Sequence, residues 1–286
     1  MRLIVGIIVI FASVIGGYMA MGGHLEVLIQ PFEAVIILGA AMGAYVIGNT
    51  GPVLKQSIGV FGTLFRGPRY NKESYVELLG LQYSLFRLVQ SRGLLALEPH
   101  IENPEQSSIF ERFPKFAANH HAVEFMCDYL RMVTLGTNNA HELDALMDEE
   151  LETHHQERER LVTAVQSLAD GTPALGIVAA VLGIVKTMGA ISEPPEVLGL
   201  MIGKALVGTF LGVLLAYGIV GPFAARLGGI IEQDSQFYKI IRDVLVAHLH
   251  GNAAQVSVEI GRGSVPTSVQ PSFAQLEEAL ATAAEG

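Results

Sequence analysis

Two pairs of long apolar segments, residues 3–20 with 32–48 and 175–191 with 199–223, frame a polar block and restrict what this 286-residue chain can fold into. A bilayer core about 30 Å thick takes roughly 20 mostly apolar residues to cross as a helix, and all four segments approach or exceed that length. Basic residues then set the orientation. Of the 18 lysines and arginines, 11 lie between Asn49 and Thr172, and the short connectors 21–31 and 192–198 carry none. Basic residues collect on the cytoplasmic side of a membrane. The expected fold is therefore an all-α integral membrane protein with four transmembrane helices, a large helical cytoplasmic domain between helices 2 and 3, and a cytoplasmic helical tail. The expected parts are membrane helices 1 and 2 with a short periplasmic loop (1–49), the cytoplasmic domain (50–171), membrane helices 3 and 4 with a second short loop (172–224), and the tail (225–286).

Half of the residues are hydrophobic, the mean hydropathy is +0.42 and the net charge is −10. Between Asn49 and Thr172, 17 acids stand against 11 bases, so no basic face is offered to nucleic acid. The one cysteine, Cys127, excludes an intramolecular disulfide and is expected to be a buried thiol in a helix. Residues 1–20 carry Arg2 and an apolar run longer than a signal-peptide core, with poor cleavage chemistry around Tyr18-Met19-Ala20. They are expected to remain as the first membrane helix.

The polar block reads as helical. Val76, Leu79, Tyr83, Phe86 and Val89 recur every three to four residues and make one buried face over 73–89. Gly93 and Pro99 interrupt, so 93–103 is expected to be a turn or a broken helix. Further helices are expected over 107–135, broken at Pro114, and over 140–169. In the tail, residues 231–250 are amphipathic, and Ser272-x-x-Gln275 offers a capping box to a short last helix. Only 255–260 shows strand-like alternation.

Small residues are concentrated in the apolar segments. Gly39 with Gly43, Gly199 with Gly203, and Gly208 with Gly212 are small-x-x-x-small pairs, which let helix backbones approach closely in lipid. Gly176, Ala180, Gly183 and Thr187 form one stripe, and Ala205, Gly208, Thr209, Gly212 and Ala216 another. These faces either pack within one chain or line a pore and receive another chain's helix. No carboxylate lies deep in any segment, so a group that takes up an ion would have to come from a partner. Lys186 and Lys204 sit near the outer ends, where snorkelling is the plain reading. No H-E-x-x-H, P-loop or G-x-S-x-G motif is present, so neither enzyme activity nor a cofactor is expected. The pairs His120-His121 and His154-His155 lack cysteine partners at ligand spacing, and no metal site is expected. The acidic run Asp148-Glu149-Glu150 with Glu152 reads as a solvated helix face.

Several stretches resemble one family. Pro173-Ala174-Leu175-Gly176-Ile177-Val178-Ala179-Ala180-Val181-Leu182-Gly183, then Val207-Gly208-Thr209-Phe210-Leu211-Gly212 and Ala216-Tyr217-Gly218, are similar to the channel-forming motor-stator members of the MotA/TolQ/ExbB group. Ala145–Glu150, Leu97-Glu98, Ile101–Pro104 and Pro271-Ser272-Phe273 support the resemblance over nearly the whole chain. It implies a bacterial inner-membrane protein that self-associates as a pentamer around the single membrane helices of two MotB-like subunits, whose aspartate takes up the ion. It also implies contact with the rotor switch protein FliG. Ion flow would drive rotation and so torque.

The resemblance assigns Pro173, Ala180, Thr209 and Pro222 to the ion pathway and its coupling. Pro173 would open the third membrane helix on the cytoplasmic side, Pro222 would lie near the cytoplasmic end of the fourth, Thr209 would face the pore and Ala180 the partner helix. Glu98 matches the acidic rotor contact and Arg92 stands for the basic one, with Arg87 as the other candidate base. Gln270 stands before Pro271 where a basic residue is expected. The threonine and alanine pattern resembles the proton-driven members. The alternatives are an ExbB- or TolQ-like energiser of an outer-membrane process, against which the four spans argue, and a non-conducting membrane scaffold.

Overall fold

The computed structural model describes residues 2–137 and 139–284, and every regular element among them is helical. The chain begins with α1 (Arg2–Ala20), a single turn α2 (Leu25–Leu28), α3 (Pro31–Gly48) and α4 (Gly51–Arg66). Pro31 and Pro52 sit in the first turns of α3 and α4, where a missing N–H costs nothing. α5 (Lys72–Arg92) opens on a capping box: the Ser74 N–H donates to Asn71 at 3.0 Å, and the Asn71 N–H donates to the Ser74 hydroxyl at 3.4 Å. It ends at Gly93, whose φ of +82° suits a residue without a Cβ.

A 3₁₀ turn (Leu94–Leu97) leads into α6 (Glu98–Glu102), then α7 (Pro114–Ala117) and α8 (His120–Thr134). The interruption expected at Pro114 is thus a short separate helix. α9 (Ala140–Met188) and α10 (Pro195–Leu215) follow; a five-residue π turn (Ala216–Val220) then joins α10 to α11 (Gly221–Leu249). α12 (Ala254–Ser264) covers the alternating stretch 255–260 with helix, and α13 (Phe273–Ala284) closes the described chain. α13 has the expected capping box: Gln275 N–H donates to the Ser272 hydroxyl at 3.2 Å and Ser272 N–H to the Gln275 side chain at 3.0 Å.

Four helical runs among the described residues contain a stretch long and apolar enough to cross a membrane: 2–20, 25–48, 140–188 and 195–249, each with an 18-residue stretch of mean hydropathy 2.4, 1.8, 1.8 and 2.0 respectively. The last two, of 49 and 55 residues, contain more than twice the roughly 20 residues that cross a bilayer. The sequence divides each into a span and a separate polar helix; the structure joins them. One correction follows directly. Pro173 does not open a helix but lies inside α9. An interior proline removes the N–H that would reach the carbonyl four residues back and crowds that carbonyl, at a cost of about 3 kcal/mol. The apolar and small-residue packing on either side carries the helix across this defect.

By packing, the chain forms two compact units: residues up to Gly67 with Glu157–Gly229, and Pro68–Gln156 with Ile230–Gly286. The first holds the apolar spans. Their outward side chains are exposed and apolar, including Ile8, Leu38, Val181, Val185 and Leu206, as a surface facing lipid or other apolar chains requires.

The second unit has an ordinary aqueous-type core. Tyr75, Leu78, Leu79, Leu85 and Phe86 of α5 meet Phe237, Ile240, Ile241 and Val244 of α11. Tyr70 stacks on Phe237 with ring centres 3.8 Å apart. Cys127 is buried here as expected, and burial pushes its thiol up to about 12. Gln270 caps α12, its amide donating to the Arg262 carbonyl at 2.8 Å. The acidic run of α9 is more than a solvated face: Asp148 pairs with Arg242, and Glu150 accepts from the Tyr129 hydroxyl at 2.7 Å. Both partners come from elements distant in sequence, which periodicity does not reveal.

Candidate functional site

Backbone meets backbone along the seam between α9 and α10. A methyl placed on Gly176 would lie 2.8 Å from the Gly208 carbonyl and 2.9 Å from the Gly212 Cα, and one on Gly183 would lie 2.7 Å from the Ala205 methyl. One on Gly208 would lie 3.0 Å from the Ala180 nitrogen. Both small-residue stripes are therefore used against each other inside one chain. Ala180, expected to face a partner helix, is buried beside Gly208 of its own chain. The pairs Gly39/Gly43 and Gly199/Gly203 differ: nothing lies within 4 Å of where their methyls would be.

Thr209 follows Gly208 and is half-buried at the flank of this seam. Its hydroxyl makes no hydrogen bond among the described residues, whereas Thr172 and Thr187 bond back to the Leu168 and Gly183 carbonyls at 2.6 and 2.9 Å. A hydroxyl that can both donate and accept is thus left available in an apolar wall. Pro173 is half-buried on α9, directly after Thr172, and Pro222 is exposed at the start of α11. Ala180 lies on the seam, and Pro173 and Thr209 directly follow Thr172 and Gly208, which lie on it. Pro222 lies beyond the π turn, where the Gly221 N–H donates to the Ala216 carbonyl five residues back. That wider register brings in the Gly221-Pro222 pair without ending the helix.

Sequence reasoning assigned no element to residues 50–66, although Val53, Val60 and Leu64 recur on one face. Here α4 is fastened to the start of α11. The Arg226 guanidinium donates to the Leu64 carbonyl at 3.0 Å, and the rings of Phe61 and Phe223 meet edge to face at 6.4 Å. The residue after Pro222, Phe223, is thereby held by α4.

The second candidate region is the turn between α5 and α6. Arg92 ends α5 and Glu98 begins α6; both are exposed, and neither has an ion-pair partner among the described residues. Arg87 lies over the Tyr83 ring, its guanidinium carbon 5.9 Å from the ring centre. Arg92 is the freer base of the two. α6 is held by Arg131 of α8, which donates to Glu102 at 2.6 Å and to Asp128 at 2.7 Å. The hydrogen bond to Glu102 holds this guanidinium above its ordinary range. Glu98, one turn before Glu102, thus stands on a braced helix. Arg131 escaped the sequence reading because its partner is 29 residues away. Among the described residues no group of three His, Cys, Asp or Glu is arranged to hold a metal.

Comparison with known proteins bears on both regions. Residues 4–93 match the family model described as Motility protein A N-terminal, and residues 117–239 match that of the MotA/TolQ/ExbB proton channel family. Relatives include Motility protein A of Salmonella typhimurium and of Escherichia coli, each 41% identical over 97% of this chain and 94% of theirs. Chemotaxis protein LafT of Vibrio parahaemolyticus is 35% identical over 98% of this chain and 99% of its own. Among solved structures, the C. jejuni MotAB structure superposes with a TM-score of 0.77 at 17% identity, over 95% of this chain and 98% of that one. The flagellar MotAB stator complex from Bacillus subtilis gives 0.72 at 24%, over 90% and 92%. At those identities the structural likeness establishes the fold.

Proposed function

The chain belongs to the MotA/TolQ/ExbB proton channel family, in its motility protein A branch, and from that membership we propose that it is a stator subunit of the bacterial flagellar motor. It sits in the inner membrane and, with a MotB-type subunit, conducts protons and converts their flow into torque on the rotor. One observation carries the assignment of roles. The α9–α10 seam is closed by glycine backbone, bordered by the unpaired Thr209 hydroxyl, and lies in spans without a deep carboxylate. The proton-binding group is therefore the partner's. One charge crossing about 100 mV releases roughly 2.3 kcal/mol, and repeated crossings sum to mechanical work.

In this reading residues 1–49 and 172–224 are the membrane parts, with both short connectors periplasmic, and 50–171 and 225–286 are cytoplasmic. Five copies surround the partner's membrane helices. Pro173 and Pro222 are the points at which α9 and α10–α11 flex as the partner's acid binds and releases its proton. Thr209 and Ala180 border the pathway. Arg92 and Glu98 meet oppositely charged residues of the switch protein FliG; repeated around a ring, such charges steer and register a partner.

Complementation of a stator-deletion strain tests the reading. Swimming should return with this chain and its partner and stop when the proton gradient is collapsed; a stop only on loss of the sodium gradient keeps the stator and changes the ion. Glu98→Lys should cut torque at normal expression and be partly restored by reversing a charge on FliG. Failure of this chain to restore swimming at normal membrane levels would remove the motor role and favour the energiser or the scaffold.

A further inference from the structure

The turn that carries the two free charges also holds an apolar side chain in water. In Leu94–Leu97, Leu97 is 1% exposed and Leu94 is packed against the core, while Leu95 is 70% exposed. The two anchored leucines fix the turn, so Leu95 is held outward. The turn packs on α8, and Leu135 at the C-terminal cap of that helix is 81% exposed. A lone surface leucine is ordinary. This one is bracketed by an exposed cation and an exposed anion, Arg92 and Glu98, neither with an ion-pair partner among the described residues. Gly93 allows the positive φ at which the chain turns out of α5, and the Arg131–Glu102 pair braces α6 on the other side.

We propose that Leu95 is the apolar anchor of a docking surface rimmed by Arg92 and Glu98. Its occupant is a rotor-side protein surface with an apolar recess, an acid opposite Arg92 and a base opposite Glu98. The proposal rests on the stator reading above. Ion pairs that stay in water contribute little. A small apolar contact at their centre excludes water and gives the rim charges a drier setting, as at the hot spots of other interfaces. A single leucine also suits a contact that must form and release at every step, which a broad apolar face would hold too long.

The test is occupancy of motors by the fluorescently tagged full-length chain, expressed with its partner subunit in a deletion strain, together with torque under load. Leu95→Ser and Leu95→Asp should reduce occupancy about tenfold, the loss of about 1.4 kcal/mol of contact, at unchanged membrane levels, and Leu95→Met should retain it. If Arg92→Glu and Glu98→Lys reduce occupancy but both polar Leu95 variants do not, the anchor is wrong and the charged contact stands. If none of these variants changes occupancy, this turn is not the rotor surface and both readings of it fall. Loss of the Leu95 variants from the membrane would assign the residue to folding and overturn the proposal.

Discussion

Replacing Gly212 with alanine asks whether the α9–α10 seam is closed backbone to backbone. The added methyl would sit 2.8 Å from the Gly176 Cα, 3.1 Å from the Thr172 carbonyl and 3.2 Å from the Gly176 nitrogen. Favourable carbon contacts lie at about 3.5–4.0 Å, so α10 must withdraw by roughly 1 Å. All three obstructing atoms are backbone, and no side-chain rotation relieves them. Overpacking of this kind costs about 1–3 kcal/mol, and the upper part of that range applies to rigid neighbours. Against it stands the gain in helix propensity from glycine to alanine, about 1 kcal/mol. The net expectation is a loss of about 1–2 kcal/mol. Gly203 is the control: it lies on the same helix with nothing within 4 Å, so alanine there keeps only the propensity gain. Thermal unfolding of the purified complex should show a midpoint lower by a few degrees for Gly212→Ala and unchanged or higher for Gly203→Ala, with swimming reduced only by the first. Equal midpoints for the two variants would refute the close seam.

Three further outcomes are expected. Pro173→Ala returns an N–H to the Ala169 carbonyl and removes an interior proline worth about 3 kcal/mol; the complex should be as stable or more so while motility falls, and full motility would remove the flexing role. Thr209→Val deletes a hydroxyl that has no partner among the described residues, so stability should change by less than about 0.5 kcal/mol while proton uptake by membrane vesicles falls; unchanged uptake would take Thr209 out of the pathway. Burial lowers the pKa of His248, which stacks on Phe86 with ring centres 4.0 Å apart, and burial also lowers that of His100. Below the ordinary value of 6.5 the unfolded histidines bind protons that the folded ones refuse, so stability should decline as pH falls from about 6.5 toward the folded pKa values. His248→Gln should flatten part of that decline, and an unaltered acid limb in unfolding curves would count against this cause.

Much of the molecule is legible one residue at a time. The apolar segments, the Ser272/Gln275 cap, the α5 core face and the buried Cys127 each follow from local pattern, because period, capping and hydropathy are properties of short windows. The residues of the seam and of the exposed turn were nameable from their resemblance to a family, but their surroundings were not. Pro173 shows the limit: propensity says that a proline begins a helix, and packing on both sides of it overrules that preference. α4 was passed over because its apolar face is narrow and its fasteners, Phe223 and Arg226, are far along the chain.

Sequence alone thus determined that this chain is helical, that four of its stretches can cross a membrane and that the rest is an acidic helical unit. Only the tertiary structure separated Gly208/Gly212 from Gly199/Gly203, which have the same spacing, and set Leu95 outside while its neighbours Leu94 and Leu97 went in. The physical reason is the same in each case. Spacing places side chains on a face, but whether that face meets backbone, water or nothing depends on contacts between residues distant in the chain.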